Sequence, residues 1–430
     1  AHNLLAAAID ASILHGNKLN INPLSITWRR CVDVSDRALR DIIIGLGGKD
    51  NGYPRETGYD ITVATETMAI LALTTGLFDL RKRLGRIVVG CTYNGKPVTA
   101  EDLKIAGAMT VLMKDAIKPN VVQTTENTPV FDHGGPFANV AHGNNSALAD
   151  MVALKLADYV VTESGFGVDC GFEKLVNVKC RQSGLRVDCA VVVASIRALK
   201  MHGGAYDVRP GVPINERLVA KENMGALEKG CENLAKQIEN VHIHGLPAVV
   251  AINRFNADTD KEIELVRKKA LEAGTDEAVP VDCWAKGGEG AVQLAEAVMA
   301  AVDKPHEMRF LYRDDASIKE KIETIATKIY GADGADYAPL AEERIRLYTE
   351  LGYGRMPINM AKTHLSLSHD PNLKGVPRHY RIPIRDIRAS VGAGFLYPLL
   401  GAMSTMPGLP SVPAATKVDI DETGKTVGLF

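Results

Sequence analysis

The chain reads as an α/β protein with a doubly wound, mostly parallel sheet, and three observations predict this. Strand-like and helix-like segments alternate along the whole sequence, the pattern that places helices against a parallel sheet. The runs Cys189–Ser195 and Pro247–Asn253 are continuously apolar and rich in valine, as strands covered on both faces require. Glycine-rich turns follow several strand-like segments, at the strand ends where open α/β sheets bind ligands.

Size and composition set the outer limits. A chain of 430 residues, 46% hydrophobic and 24% charged, has room for two or three domains of ordinary globular type. Its net charge of −2 argues against a broad nucleic-acid-binding surface and leaves room for a local basic pocket. The seven cysteines are scattered with no C-x-x-C pair, which suits free thiols in a reducing cytoplasm. His242 and His244 read as structural or solvated rather than as half a metal site. No apolar run approaches the roughly 18 residues of a membrane span, and no signal peptide is recognisable. The sequence opens on Ala1 directly inside an apolar helical pattern with no capping residue, so a further segment is expected upstream.

Taken in order, a helix over Ala1–Leu14 is followed by a polar loop and by Trp28-Arg29-Arg30, whose arginines read as an anion clamp or as a solvated helix start. A helix is expected over Asp36–Leu46. It ends in a glycine-rich turn in which Lys49 precedes Asp50 rather than Ser or Thr, so the Walker role does not apply. Helical stretches follow at Ile61–Leu77 and Asp79–Leu84, then a strand at Arg86–Cys91 and a helix over Val98–Asp115.

Pro119–Lys174 is expected to form one β-loop-α-β-loop-α unit, with strands at Val121–Val122 and Tyr159–Val161 and a helix over Ser146–Leu156. Its first loop holds His133, Gly134, Gly135 and Asn139. The paired glycines permit positive φ and close backbone approach, and the imidazole and amide supply polar contacts. Its second loop holds Glu163, Gly165, Gly167 and Asp169. The G-x-G-x-x-x-G spacing there is one residue longer than the dinucleotide fingerprint and points only weakly to a nicotinamide cofactor.

A second α/β stretch alternates the strand Cys189–Ser195, a helix over Glu222–Asn240, the strand Pro247–Asn253, a helix over Glu262–Ala273 and a strand at Ala278–Cys283. Phe255 and Trp284 follow the last two strands, near Asn253 and Lys286. Two aromatics at neighbouring strand ends either pack locally or sandwich a flat heterocycle. Helices at Ile318–Tyr330 and Pro339–Leu351, a strand over Arg381–Ser390 and a turn at Met406–Gly408 complete the pattern. Gly424-Lys425-Thr426 is no phosphate loop, because Asp419 stands where its first glycine belongs.

These segments together resemble the formate–tetrahydrofolate ligase family. The blocks that carry the resemblance include Ile26–Arg30, Pro54–Asp60, Glu126–Pro129, His133–Ser146, Ala157–Lys174, Ile196–Gly204, Val250–Asp260, Trp284–Gly290, Met360–Thr363 and Met406–Pro410, in collinear order over the whole chain. The resemblance implies an ATP-dependent ligase that joins formate to N10 of tetrahydrofolate through formyl phosphate. It implies Mg²⁺ with the ATP, a monovalent activator such as K⁺ or NH₄⁺, and a cytoplasmic homotetramer. It also implies a sheet of P-loop NTPase type, with residues 1–183 as the nucleotide and formyl phosphate domain, 184–302 as the folate domain and 303–430 as a smaller C-terminal α+β domain.

By residue, Phe255 and Trp284 match the family's aromatic pair around the folate ring, with Asn253 and Lys286 beside them. His133, Asn139, Glu163 and Asp169 are cleft candidates, and Gly134, Gly135, Gly165 and Gly167 shape the cleft loops. Small departures are Asn144 where the family generally has Cys, Ser164 and Val168 where it has Ala, and Asp132 before the glycine pair. The family's P-loop, of the A-G-E-G-K-T-T type, has no counterpart in this sequence. A folate-binding, catalytically impaired fragment or regulatory homologue is therefore the alternative expectation.

Overall fold

A computed structural model describes residues 1–208, 214–401 and 403–429. The described strands make eight small sheets, and the one that positions the expected folate residues has three parallel strands in the order Glu277–Val281, Ala248–Asn253, Ala190–Ala194. Asn253 pairs with Val281, and Ile252 with Ala194, so the three carboxyl ends lie side by side.

Alternation of side chains decides what each face of this sheet does. Ala190, Val192, Ala194, Val250 and Ile252 pack against Leu227, Leu234 and Ile238 of the helix Met224–Ile243 and against Ile263 and Val266 of the helix Asp260–Glu272. The first helix starts at Asn223, whose side chain accepts from the Ala226 N–H, and the second at a Thr259/Glu262 capping box. The helix Val292–Val302 packs on the other two strands. Val191 and Val193 are left outside that cover, 38% and 69% exposed. The expectation that Cys189–Ser195 is buried on both faces therefore fails, because this is an edge strand and its covering helix stops one strand short.

The remaining sheets are two-stranded. Arg30–Val32 with Tyr59–Ile61 and Ala335–Tyr337 with Ile382–Ile384 are parallel, and the other five are antiparallel. Two further large apolar clusters pack among the remaining elements. One joins Leu5, Ile9, Ile70, Leu84, Val89 and Met109 and takes in Ala393 and Phe395 from the far end of the chain. The other joins Ile322, Ile325, Ile329, Tyr330, Ile382 and Leu396.

Several expected elements differ. Asp36–Leu46 is a single tight turn, Arg37–Leu39, followed by the strand Ile42–Ile44, because three consecutive β-branched isoleucines pair with Arg55–Thr57. The helix expected over Val98–Asp115 starts only at Ala106, since Pro97–Thr99 pairs with Val88–Cys91. Val121 and Val122 lie in an exposed antiparallel hairpin with Pro129–Asp132 rather than in a parallel unit. Tyr159–Val161 forms no strand and leaves Val161 open to solvent. Arg29 and Arg30 pair internally, Arg29 with Asp41 at 2.7 Å and Arg30 with Asp10 at 2.8 Å, which accounts for both without a bound anion.

Five lysines, Lys174, Lys179, Lys200, Lys321 and Lys362, are almost wholly buried. A buried ammonium is tolerated only where its donors are met. Lys179 pairs with Asp150, Lys200 with Glu262 at 3.0 Å and Lys362 with Asp169 at 2.8 Å. Lys174 donates to the Ala138 carbonyl, and Lys321 to the carbonyls of Gly354 and Met356.

Candidate functional site

The aligned strand ends form the first zone of the site. Past Asn253 the chain turns at Phe255, and the turn is closed by Asp258, whose carboxylate accepts from the Phe255 N–H at 2.8 Å. Phe255 is half-buried, and the Arg197 guanidinium lies over its ring, 3.8 Å from the ring centre. Trp284 sits in the one-turn helix Cys283–Lys286 and is 100% exposed. Lys286, four residues after Asp282, pairs with that carboxylate at 2.7 Å. Asn253 is exposed beside them. The two expected aromatics thus stand at adjacent strand ends, with no direct ring stacking between them among the described residues.

A contact from far away in sequence fixes the turn after Trp284. The Gly288 N–H donates to the Glu126 carboxylate at 2.6 Å, so the tip of the 120–132 hairpin docks there. A Cβ at Gly288 would collide with that carboxylate.

The two glycine loops form the second zone, and their side chains divide into braces and free groups. His133 is buried; its Nε2–H donates to the Ala116 carbonyl at 2.7 Å, so Nδ1 accepts from the Ser146 hydroxyl at 2.7 Å. With both ring nitrogens engaged, this imidazole ties the loop to the Ala147–Ala153 helix. Gly134 follows at φ +78°, where glycine is favoured. Asn139 is half-buried and Glu163 is exposed, and neither side chain has a hydrogen-bond partner among the described residues.

Gly165 and Gly167 are explained by the scaffold. The Gly165 N–H donates to the Gly143 carbonyl at 2.9 Å, and a Cβ there would lie 2.7 Å from Ala138 Cβ. A Cβ at Gly167 would lie 2.6 Å from the Asp169 carboxylate. Between them Phe166 has φ +65°, a conformation that is rare for a bulky residue. Its ring is 54% exposed and stacks on His364 at 4.2 Å.

Asp169 opens a helical stretch with wide π-type turns at Val168–Phe172 and Leu175–Cys180, a geometry frequent at functional sites. Its carboxylate accepts from Lys362 Nζ at 2.8 Å and from Gln237 Nε2 at 2.9 Å. Burial alone would raise this carboxyl, but Lys362, Gln237 and the Cys170 thiol outweigh it and hold it below its ordinary range. Lys362 completes its donors on the carbonyls of Thr363 at 2.8 Å and Ser366 at 2.6 Å. The pair therefore locks the second glycine loop to the 360–366 segment.

Nearby, His142 is fully buried with both ring nitrogens unpartnered, and burial, reinforced by Lys179, Lys174 and Arg83, pushes it down to about 3. The helix Ile196–His202 links the two zones. Arg197 is at its start, and His202 Nδ1 at its end accepts from the Gly375 N–H at 3.1 Å.

Gln237, Lys362, Phe166 and His364 were not among the residues singled out from the sequence, nor were Arg197 and Glu126. Lys362, Arg197, Glu126 and Phe166 fall inside the blocks that carry the family resemblance, and a lone lysine after the apolar Met360-Ala361 is the available signal. No spacing rule joins residues so far apart. Among the described residues no group of three or more His, Cys, Asp or Glu side chains is placed to hold a metal ion, and no helix is long and apolar enough to cross a membrane.

A family model described as formate–tetrahydrofolate ligase matches residues 1–430. The curated formate–tetrahydrofolate ligase of Desulforamulus reducens is 64% identical over 430 residues, covering 100% of this chain and 76% of that protein. Those of a Roseiflexus species and of Saccharopolyspora erythraea are 56% and 54% identical over 429 residues, with the same coverage.

Proposed function

The chain belongs to the formate–tetrahydrofolate ligase family, and from that premise we propose that this ligase joins formate to N10 of tetrahydrofolate at the expense of ATP. The single observation that carries the site assignment is a fully exposed indole, Trp284, at the end of a strand adjacent to the one that leads to Phe255. A large apolar surface left open at strand ends suits a flat ligand that covers it.

The chemistry follows from formate's poor electrophilicity. A formate oxygen attacks the γ-phosphorus of ATP and ADP leaves, which gives formyl phosphate. The N10 lone pair then attacks the formyl carbon. The tetrahedral intermediate expels phosphate, and the nitrogen loses its proton, leaving 10-formyltetrahydrofolate. Trp284 and Phe255 hold the pterin, with Asn253 and Lys286 as polar neighbours; Lys286 reaches a ligand only in competition with Asp282. Asn139 and Glu163 are the free polar groups of the cleft loops. His133 and Asp169, fully engaged with the scaffold, act by holding those loops in place. Mg²⁺ accompanies ATP in this reading, and K⁺ or NH₄⁺ activates. The described carboxylates form no cage for either ion, so no step is assigned to them. A cytoplasmic homotetramer, a doubly wound P-loop arrangement and the three domains 1–183, 184–302 and 303–430 belong to the same proposal.

The test is ATP- and formate-dependent formation of 10-formyltetrahydrofolate, together with Trp284→Ala. That variant should lose about 1–3 kcal/mol of tetrahydrofolate binding, the range for aromatic stacking on a base. Its thermal midpoint should stay unchanged, because the side chain packs against nothing. A folded variant that binds tetrahydrofolate as tightly as the parent returns Trp284 to a surface residue.

A further inference from the structure

At the strand ends three cations have carboxylate partners among the described residues. Arg254 pairs with Asp260 at 3.0 Å, Lys286 with Asp282 at 2.7 Å and Lys200 with Glu262 at 3.0 Å. Arg197 makes no ion pair among the described residues, although it stands at the end of the Ala190–Ala194 strand, beside Phe255. Its Nε is buried and has no hydrogen-bond partner. The nearby Asp258 carboxylate accepts from the Phe255 N–H through one oxygen and interacts with Arg197 through space, with no hydrogen bond to it.

Its backbone is fixed as well. The Tyr206 hydroxyl donates to the Arg197 carbonyl at 2.5 Å, and Ser195, two residues before it, caps the helix. A guanidinium braced against a ring has already lost much of its rotamer freedom, and its planar fork matches a carboxylate with two parallel hydrogen bonds. A pre-oriented guanidinium whose Nε is buried without a hydrogen-bond partner is costly to keep unless something completes it.

Resting on the proposed ligase reading, we infer that Arg197 is a substrate-binding residue that receives a carboxylate while its guanidinium covers one face of Phe255. The pterin is thereby confined to the opposite face of that ring. Two carboxylate sources exist in this reaction, the glutamyl tail of tetrahydrofolate and formate itself.

Arg197→Gln and Arg197→Lys separate them, measured by titration with tetrahydrofolate and with tetrahydropteroate, which lacks the glutamyl group, and by the KM for formate. Loss of one charge-assisted bidentate contact should weaken the affected ligand about 10- to 100-fold. A loss confined to tetrahydrofolate, with tetrahydropteroate unchanged, assigns the glutamyl carboxylate. A rise in formate KM with both pteridines unchanged assigns formate. Lys should restore only part of either loss, since it lacks the planar fork. Equal weakening of both pteridines with formate KM unchanged would make Arg197 a brace for the ring alone and overturn the inference, as would a folded Gln variant with all three values intact. A parent protein that binds no tetrahydrofolate overturns instead the ligase reading itself.

Discussion

Replacing Lys362 by methionine tests whether the second glycine loop is held by one buried charge pair. Lys362 Nζ spends its three protons on Asp169 at 2.8 Å, the Thr363 carbonyl at 2.8 Å and the Ser366 carbonyl at 2.6 Å. Methionine fills a similar volume but leaves the Asp169 carboxylate buried, with Gln237 at 2.9 Å as its remaining strong donor. Removing one partner of a buried pair costs about 3–5 kcal/mol, mostly the penalty of the stranded charge. Asp169→Asn strands the ammonium and should cost about as much. The double variant strands neither charge, so its loss should fall short of the sum of the two by about 2–3 kcal/mol.

Urea denaturation of the four proteins at pH 7, analysed as a double-mutant cycle, measures this term. Single variants within about 1 kcal/mol of the parent, or strict additivity, would refute the argument. The sign with pH is also fixed. Asp169 lies below its ordinary range when folded, so the contribution is complete above the unfolded carboxylate value, about 4, and is lost as pH falls through the folded one.

Two other substitutions probe the same region. His142 folds with its pKa pushed down to about 3, so the unfolded chain takes up the proton first and stability falls as pH drops below about 6.5. Between pH 6.5 and pH 5 that loss is about 2 kcal/mol, and His142→Phe should abolish it; a denaturation profile as steep as the parent's would count against the burial argument. Gly165→Ala sets a methyl 2.7 Å from Ala138 Cβ and should cost about 1–3 kcal/mol in urea melts, whereas an unchanged midpoint would mean that the loop yields freely.

The elements legible in the sequence were those with a single strong local cause. Met224–Ile243 and Asp260–Glu272 follow apolar spacing at helical period, and the latter also has its Thr259/Glu262 cap. Ala248–Asn253 follows its apolar run, and the register with Glu277–Val281 puts Phe255 and Trp284 at adjacent strand ends as that pattern implied. Misreadings came where tertiary pairing outweighed local pattern. Ile42–Ile44 carries helix-compatible spacing in its neighbours but pairs with Arg55–Thr57. Val98 sits in a strand because Val88 lies opposite its neighbour Thr99.

Among the site residues, sequence spacing shows that His133 and Asp169 are polar groups in glycine loops. It says nothing of Ala116, Ser146, Gln237 or Lys362, which turn them into braces. The same limit hid Arg197, whose significance lies in the ring it covers and in the carboxylate it lacks.

The buried lysines bear on self-modification. Formyl phosphate, the intermediate proposed for this enzyme, is an acyl donor that would formylate any neutral primary amine it reached. Burial lowers the pKa values of both Lys174 and Lys321, the latter to about 8, so at pH 7 on the order of a tenth of the Lys321 amine is unprotonated and nucleophilic. Protonation is thus an incomplete shield there. What protects these amines is that each is sealed from solvent and points its protons at backbone carbonyls.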